Sequence, residues 1–299
     1  MKSLFRPKKY FRPFTVEEAL SLLSRYGGRA IAGGTDLLVL KPPEVECIID
    51  LSYLPLRYIK QDKDGLRIGA ITTFRDLETS STLKKGVYGI LAEAAHLVGY
   101  VTVRNMNTVG GNLCNAVPSA DIAPPLLALD AKVKIENLAG ERMVALEEFF
   151  VGPRKTILRH DELLTEILVP EQPISAGAAF EKIGRTSEDI ALVNVATRVT
   201  LTHDGTCNDV KIALGAVAPS PIRAKKAEAL LIGKKPDDAL LEEVALVASD
   251  ETKPIDDVRG SAEYRRVVSK VLVKRTLDKA IRRAVVRLFG KNADKIECK

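Results

Sequence analysis

The sequence predicts an α+β protein built from about two domains. The chain has 299 residues, and domains usually contain about 150. Apolar residues make up 46% of the chain, which is enough for a sizeable core and excludes disorder throughout. Strand-like and helix-like segments alternate as far as about residue 170, and beyond it three strands are followed by helices. The stretch 172–177, QPISAG, has the composition of a domain boundary.

The N-terminal elements carry local signals. Thr15 followed by Glu18 has the form of a capping box, and Gly27-Gly28 ends the predicted helix. A short apolar strand, residues 30–32, then runs into Gly33-Gly34. Further predicted elements follow in chain order: a helix or strand at 37–40, a buried strand at 47–51, a turn at 62–65, a strand at 66–70, and helices at 72–77 and 90–98.

The segment 101–125 differs from its neighbours. It is rich in asparagine, contains two adjacent glycines and has little periodicity, so we expect an irregular functional segment. Regular structure is predicted to resume with strands at 132–136 and 163–170. Beyond the boundary we expect strands at 178–182, 193–202 and 210–217, and helices at 224–232, 239–248 and 261–289. The apolar positions of the last helix do not keep one phase, which indicates a drifting buried face or a break.

The net charge of +6 is unevenly distributed. Residues 1–12 contain five basic residues and no acid, residues 261–289 contain nine basic and two acidic residues, and residues 13–260 are net acidic. This pattern does not suit a protein that wraps nucleic acid over its surface. The basic ends are expected to be a solvated helix face or to dock acidic partners, and in the second case charge reversal at Arg282, Arg283 and Arg287 should weaken assembly.

The compartment and the metal content follow from what the sequence lacks. No apolar run approaches the roughly 20 residues of a membrane span, and the N-terminus has no secretory signal. The four cysteines, Cys47, Cys114, Cys207 and Cys298, are scattered without a CxxC pair. We therefore expect a cytoplasmic protein without a zinc site, iron–sulfur cluster or disulfide framework on this chain.

Two glycine pairs are the strongest candidates for a binding site. Gly33-Gly34 follows a predicted strand and precedes Thr35-Asp36, and Gly110-Gly111 lies between Thr108 and Asn112. Paired glycines let backbone N–H groups turn toward an anion, and Thr or Asn adds a side-chain donor. Two such loops could hold a pyrophosphate without a basic residue, although a single glycine pair more often forms only a tight turn.

The two loops resemble those of a known family. AGGTDLL (32–38) and RNMNTVGGNLCNAVPSADIAPPLLALDA (104–131) are similar to the signature loops of the FAD-binding medium subunits of molybdenum hydroxylases. The similarity continues through FEKIGRTSEDIALVNVA (180–196) and DDVRGSAEYRRVVSKVLVKRTL (256–277). The resemblance implies a two-part FAD-binding domain of the vanillyl-alcohol-oxidase (PCMH) type in residues 1–175. A smaller domain of a three-stranded sheet with helices would follow in 176–290, and then a basic tail, 291–299.

The resemblance also implies roles for individual residues. The loops that hold the pyrophosphate and ribityl chain would comprise Ile31, Ala32, Gly33, Gly34, Thr35, Asp36 and Leu37, together with Thr108, Gly110, Gly111 and Asn112. Asp121 would contact the polar part of the cofactor, and Leu164 would pack near the flavin or adenine. Lys182 would lie near the isoalloxazine carbonyls, where a cation favours the reduced anion. Each of these three residues also has an ordinary structural explanation: a helix cap, a core position and a solvated strand position.

The function implied by the resemblance is electron transfer through FAD in a multi-subunit molybdenum hydroxylase. A large molybdopterin-binding subunit and a small iron–sulfur subunit would be the partners, as a dimer of heterotrimers, with no catalytic residue or metal on this chain. One alternative is a scaffold or binding protein that kept the fold but lost FAD. Another is a nucleic-acid binder that uses the basic ends, which would bind DNA with a steep salt dependence.

Overall fold

The first layer of the protein is a small parallel sheet. The structure, a computed structural model, describes residues 5–84 and 86–290, so the predicted basic tail lies outside the described residues. The buried strand β3 (Cys47–Asp50) pairs with β1 (Lys9–Phe11) on one side and with β2 (Arg29–Ile31) on the other, both in parallel. The predicted strands at 30–32 and 47–51 are confirmed to within one residue, and β1 is a strand that the sequence pattern did not single out.

Helix α1 (Val16–Tyr26) shows why the local signals worked. The Thr15 side chain accepts a hydrogen bond from the Glu18 amide at 3.1 Å, and Gly27 ends the helix at φ 57°. Only half of the predicted capping box forms, because the Glu18 carboxylate accepts from the amide of Phe14 instead of Thr15. The segment 37–40, for which helix and strand were both open, is the short helix α2 (Leu37–Leu40).

The second layer is a five-stranded antiparallel sheet in the order β4-β5-β10-β6-β7. Its strands are β4 (Ile59–Asp62), β5 (Gly65–Gly69), β6 (Lys132–Asn137), β7 (Gly140–Ala145) and β10 (Leu163–Pro170). The helices α3 (Phe74–Thr79), α4 (Gly89–His96), α6 (Val109–Asn115), α7 (Ala123–Ala128) and α8 (Leu146–Phe149) share its hydrophobic core, and α5 (Val101–Met106) packs on α3. A two-stranded hairpin, β8 (Phe150–Gly152) and β9 (Lys155–Thr156), lies beside the sheet. Phe74, Leu113 and Phe149 are completely buried in this core.

The prediction of irregular structure over residues 101–125 was wrong. The structure has α5, α6 and the first turn of α7 in this segment. Asparagine and glycine disfavour a helix in isolation, but packing compensates for that weak propensity. The amide of Gly110 donates to the carbonyl of Ala70 at 2.8 Å, and the Thr108 side chain caps α6.

The third sheet follows the linker at 172–175. It has the order β11-β12-β13-β14 and is antiparallel, with β11 (Ala176–Ile183), β12 (Val193–Leu201), β13 (Cys207–Gly215) and the two-residue β14 (Ile222–Arg223). The three predicted strands are present, and β14 adds a fourth. The helices are α9 (Lys225–Leu231), α10 (Asp238–Asp250) and α11 (Ala262–Phe289). Gly205 takes φ 83° in the predicted hairpin between β12 and β13.

The last helix, α11, is unbroken, so the phase drift of its apolar positions reflects a drifting buried face and not a break. Two of its basic residues serve the chain itself. Arg283 and Arg287 donate to the carbonyls of Ala178 and Ala176 at 2.7 and 2.9 Å, which ties the helix to β11. Charge reversal at Arg283 or Arg287 should therefore loosen the helix as well, in addition to the expected effect on assembly.

Ion pairs join the second and third sheets. Asp130, at φ 56° between α7 and β6, accepts from Arg198 at 2.9 Å and from Arg223 at 3.1 Å. The hydrophobic core is also shared, since Phe180 and Ala213 of the third sheet belong to the cluster around Phe74. The proposed division near residue 175 thus falls where the chain passes between sheets, while the two parts remain packed together. In the described part of the chain, no helix combines the length and apolar character needed to cross a membrane.

The packing of α11 on β11 depends on the missing side chain of Gly177. A Cβ at this position would lie 2.1 Å from the Ala280 carbonyl oxygen and 2.3 Å from the Ala284 amide nitrogen. We expect Gly177→Ala to lower the free energy of unfolding by about 3 kcal/mol, because the helix must move away from the sheet. Urea unfolding measures this change. Gly152→Ala is the matched control, since its Cβ would meet no atom within 4 Å, and an equal loss in both variants would contradict the packing explanation.

Candidate functional site

The first glycine loop leaves the carboxyl end of β2, at the edge of the parallel sheet where ligands commonly bind in α/β proteins. A Cβ on Gly33 would lie 1.8 Å from the carbonyl oxygen of Met106, so the loop lies directly against the end of α5. Gly34 has φ 69°, a backbone conformation that residues other than glycine rarely adopt. Glycine is thus required at both positions, once by close approach and once by backbone conformation.

This loop presents a run of unused donors. Within the described ranges 5–84 and 86–290, the backbone amides of residues 33–37 donate to no protein acceptor. Five successive amides without a partner are costly unless water or a ligand satisfies them. Successive backbone amides of this kind form anion-binding concavities. The geometry therefore supports the predicted anion-binding role of the first loop.

The second glycine pair is built differently. The Gly110 amide is bonded to Ala70, and the Gly111 amide donates to the Thr108 side chain at 3.2 Å. A Cβ on Gly110 would lie 2.7 Å from the Ala70 carbonyl oxygen. The idea that both pairs turn their amides toward an anion is therefore wrong for the second pair, whose glycines let α6 approach the end of β5. Nearby, Oδ1 of Asn112 is buried and has no hydrogen-bond partner among the described residues.

The two loops line one cleft. Its volume is about 250 Å³, and it is lined by every predicted residue from Ile31 to Leu37 and by Thr108 and Gly111. An adjoining cavity of about 900 Å³ is lined by Gly110 and Leu164 among others. Residues that the site prediction missed also line the cleft: Arg29, Asn107, Cys114, Asn115 and Arg154. The asparagine-rich composition of 101–125 could have indicated Asn107 and Asn115, but no local pattern marks the two arginines.

Asp121 and Lys182 do not line either cavity and are paired with each other. The Lys182 ammonium donates to the Asp121 carboxylate at 2.7 Å and to the Leu97 carbonyl at 2.8 Å. The amide of Asn194 donates to the other carboxylate oxygen at 2.8 Å. Burial raises the pKa of Asp121, and the nearby Lys182 and Asn194 act in the opposite direction. Lys182 is thus a neutralised, buried cation and not a solvated strand residue.

Comparison with known proteins identifies the family of the chain that forms this cleft. Residues 5–172 match the model for the FAD binding domain in molybdopterin dehydrogenase, and residues 178–280 match the CO dehydrogenase flavoprotein C-terminal domain. The chain belongs to the FAD-binding subunits of molybdopterin dehydrogenases. It is therefore an oxidoreductase subunit, and FAD is the cofactor of this chain. The similarity suggested by the two sequence loops is confirmed.

Individual relatives agree with this family assignment. The chain is 35% identical to the 6-hydroxypseudooxynicotine dehydrogenase complex subunit alpha of Paenarthrobacter nicotinovorans, over 90% of this chain and 93% of that protein. It is 32% identical to the xanthine dehydrogenase FAD-binding subunit of Escherichia coli O157:H7, over 93% and 97%. Carbon monoxide dehydrogenase from Hydrogenophaga pseudoflava has a similar structure, with a TM-score of 0.89, 33% identity and coverage of 93% of this chain and 98% of that chain.

The residues of the cleft fit FAD. Its diphosphate is an anion, and the unpartnered amides of residues 33–37 are suited to an anion. Bound FAD supplies redox chemistry, which protein side chains lack. The chain itself contributes binding and orientation: the loop from Ile31 to Leu37 forms one wall of the cleft, and Thr108 and Gly111 form part of the other.

The buried pair Asp121–Lys182 gives a test of the local electrostatics. We expect Lys182→Met to lower the free energy of unfolding by about 3–5 kcal/mol, because it leaves a buried carboxylate without its cation. The double variant Asp121→Asn/Lys182→Met should lose clearly less, since neither charge remains. Urea unfolding in saturating FAD measures both changes. A double variant at least as unstable as Lys182→Met would contradict the charge-pair explanation.

Proposed function

We propose that this chain carries electrons through FAD between iron–sulfur clusters on a partner chain and an external acceptor. The observation that carries the proposal is the match along nearly the whole chain to FAD-binding subunits such as that of xanthine dehydrogenase. The cleft between the two loops, with its row of unpartnered amides, supports it. The substrate would react on another subunit, so this chain needs no general acid or base.

The proposed assembly contains two other kinds of subunit. A large subunit would hold molybdopterin, and a small subunit would hold the iron–sulfur clusters, in a dimer of heterotrimers. The four cysteines of this sequence are widely separated, which is consistent with the clusters residing elsewhere. The relative from Paenarthrobacter nicotinovorans is called a subunit of a complex, which also supports an assembly.

The predicted site residues have distinct roles in this proposal. The segment from Ile31 to Leu37 would hold the diphosphate and ribityl chain, with Thr108, Gly110, Gly111 and Asn112 on the opposing loop. Leu164 would pack against a ring of the cofactor. Lys182 and Asp121 would act as a pair, so the cation expected to favour reduced anionic flavin is balanced by a carboxylate 2.7 Å away. Since the pair lines neither cavity and is neutral overall, it would join β11 to the loop after α6 and add no net charge to the site.

The assembly is tested by affinity purification of the tagged chain from its native cells. We expect a large molybdenum-containing chain and a small iron–sulfur chain to co-purify, and substrate to reduce the FAD of the complex. Recovery of a flavin-loaded monomer without such partners would contradict the assembly. A chain without flavin peaks in its visible spectrum, and without FAD uptake, would instead favour the scaffold alternative.

The cofactor loop is tested by Gly33→Ala. The added Cβ would lie 1.8 Å from the Met106 carbonyl oxygen, so the loop must move and its amides lose their arrangement. We expect the dissociation constant for FAD to rise at least about tenfold, which corresponds to about 1.4 kcal/mol. Fluorescence titration measures it, with Gly152→Ala as the control that binds as the wild type does. Unchanged FAD binding by Gly33→Ala would contradict the proposed role of the first loop.

A further inference from the structure

Two arginines line both cavities of the cleft, although they lie far apart in sequence. Arg29 is the first residue of β2, directly before the glycine loop. Arg154 lies in the turn between β8 and β9, at φ 57°. The small hairpin β8–β9 thus places a cation at the cleft that no motif in the sequence announces.

Arg154 is held in place by two hydrogen bonds, one from its backbone and one from its side chain. Its amide donates to the carbonyl of Ala116 at 2.9 Å, and its guanidinium donates to the side chain of Asn115 at 3.1 Å. Both partners belong to the C-terminal end of α6, whose other end follows Thr108. The second glycine loop and Arg154 are therefore parts of one rigid unit.

Arg29 acts on the same end of α6. Burial raises the pKa of the Cys114 thiol to about 12, and the positive charge of Arg29 opposes that rise. Cys114 and Asn115, the last two residues of α6, line the cleft together with Arg29. Arg29 and Arg154 therefore both line the cleft beside the same end of α6.

The charge of the cleft is consequently positive. Among the described residues, neither arginine forms an ion pair with a carboxylate of the chain, whereas Arg142 and Lys8 do. Asp36 is the carboxylate that lines the smaller cavity. Glu44, Glu46 and Glu162 line the larger one, and the last two are already paired with Lys8 and Arg142. Both arginines are exposed, so their guanidinium groups are available to an anion that enters the cleft, and their positive charge attracts one.

We propose that Arg29 and Arg154 bind the diphosphate of FAD together with the amides of residues 33–37. This inference rests on the FAD site described above and adds two basic side chains to loops that, from their sequence, could hold a pyrophosphate without a basic residue. The diphosphate is the charged part of FAD, and the planar guanidinium matches phosphate oxygens in a forked geometry. Flavin and adenine rings offer no comparable anion.

The proposal predicts that the diphosphate and the rings of FAD contribute separately to the binding affinity. Alanine at either arginine should weaken FAD binding by about 10-fold, and the double variant Arg29→Ala/Arg154→Ala by about 100-fold or more. Arg154→Lys should lie between wild type and alanine, because it keeps the charge and loses the fork. The affinity of the wild type should fall as salt rises from 50 to 300 mM, and this dependence should be weaker in the double variant.

The experiment uses the full chain after removal of its flavin. Fluorescence titration gives the dissociation constants for FAD and for riboflavin, and competition gives that for ADP. The arginine variants should lose affinity for FAD and ADP by similar factors and keep the wild-type affinity for riboflavin. Arg266→Ala, an exposed arginine on α11 outside both cavities, is the charge-matched control, and thermal unfolding verifies that each variant is folded.

The outcomes separate this inference from the proposed function. Wild-type affinity for FAD in the double variant overturns the role of the arginines while leaving the FAD site intact. Equal losses for riboflavin and FAD also overturn it, because they indicate a distorted cleft. A wild-type chain that takes up no FAD overturns the FAD site and this inference with it.

Discussion

The contact between Gly33 and the carbonyl oxygen of Met106 is the constraint on which the site depends. It brings a loop of the parallel sheet against the end of α5 at a distance that no side chain would permit. The residues after Met106 are themselves fixed, since the Asn107 carbonyl accepts from Phe74 and the Thr72 carbonyl accepts from Val109. The cleft between this loop and α6 thus has walls of defined position before any ligand enters.

The two glycine pairs look alike in sequence and do different work. The first leaves its amides unpartnered at a surface, where an anion can receive them. The amides of the second pair donate hydrogen bonds to Ala70 and Thr108, and the missing side chains allow α6 to start close to β5. One loop therefore offers donors, and the other holds the helix whose far end positions Cys114 and Asn115. A binding site of this kind needs both a wall that donates and a wall that stays still.

Buried charge connects the parts of the molecule. Asp121 and Lys182 join the loop after α6 to β11, and Asp130 joins the end of α7 to Arg198 and Arg223 of the third sheet. The Asp121–Lys182 pair is buried on both sides, so it is costly to form and more costly to break on one side only. Together with the shared core around Phe74, these ion pairs explain why the third sheet packs firmly on the FAD-binding part of the chain.

The sequence by itself determined the features that depend on neighbouring residues. The cap at Thr15, the stop at Gly27, most strands and helices, and the two cofactor loops follow from local chemistry and from the resemblance those loops carry. The helical state of α5 and α6 needed the tertiary structure, because contacts of α5 with α3 and of α6 with Ala70 outweigh a poor local propensity. The same holds for the pairing of Asp121 with Lys182 and for the convergence of Arg29 and Arg154. The members of the first pair are separated by 61 positions in the chain and those of the second by 125. Composition and local spacing do not encode contacts over such separations.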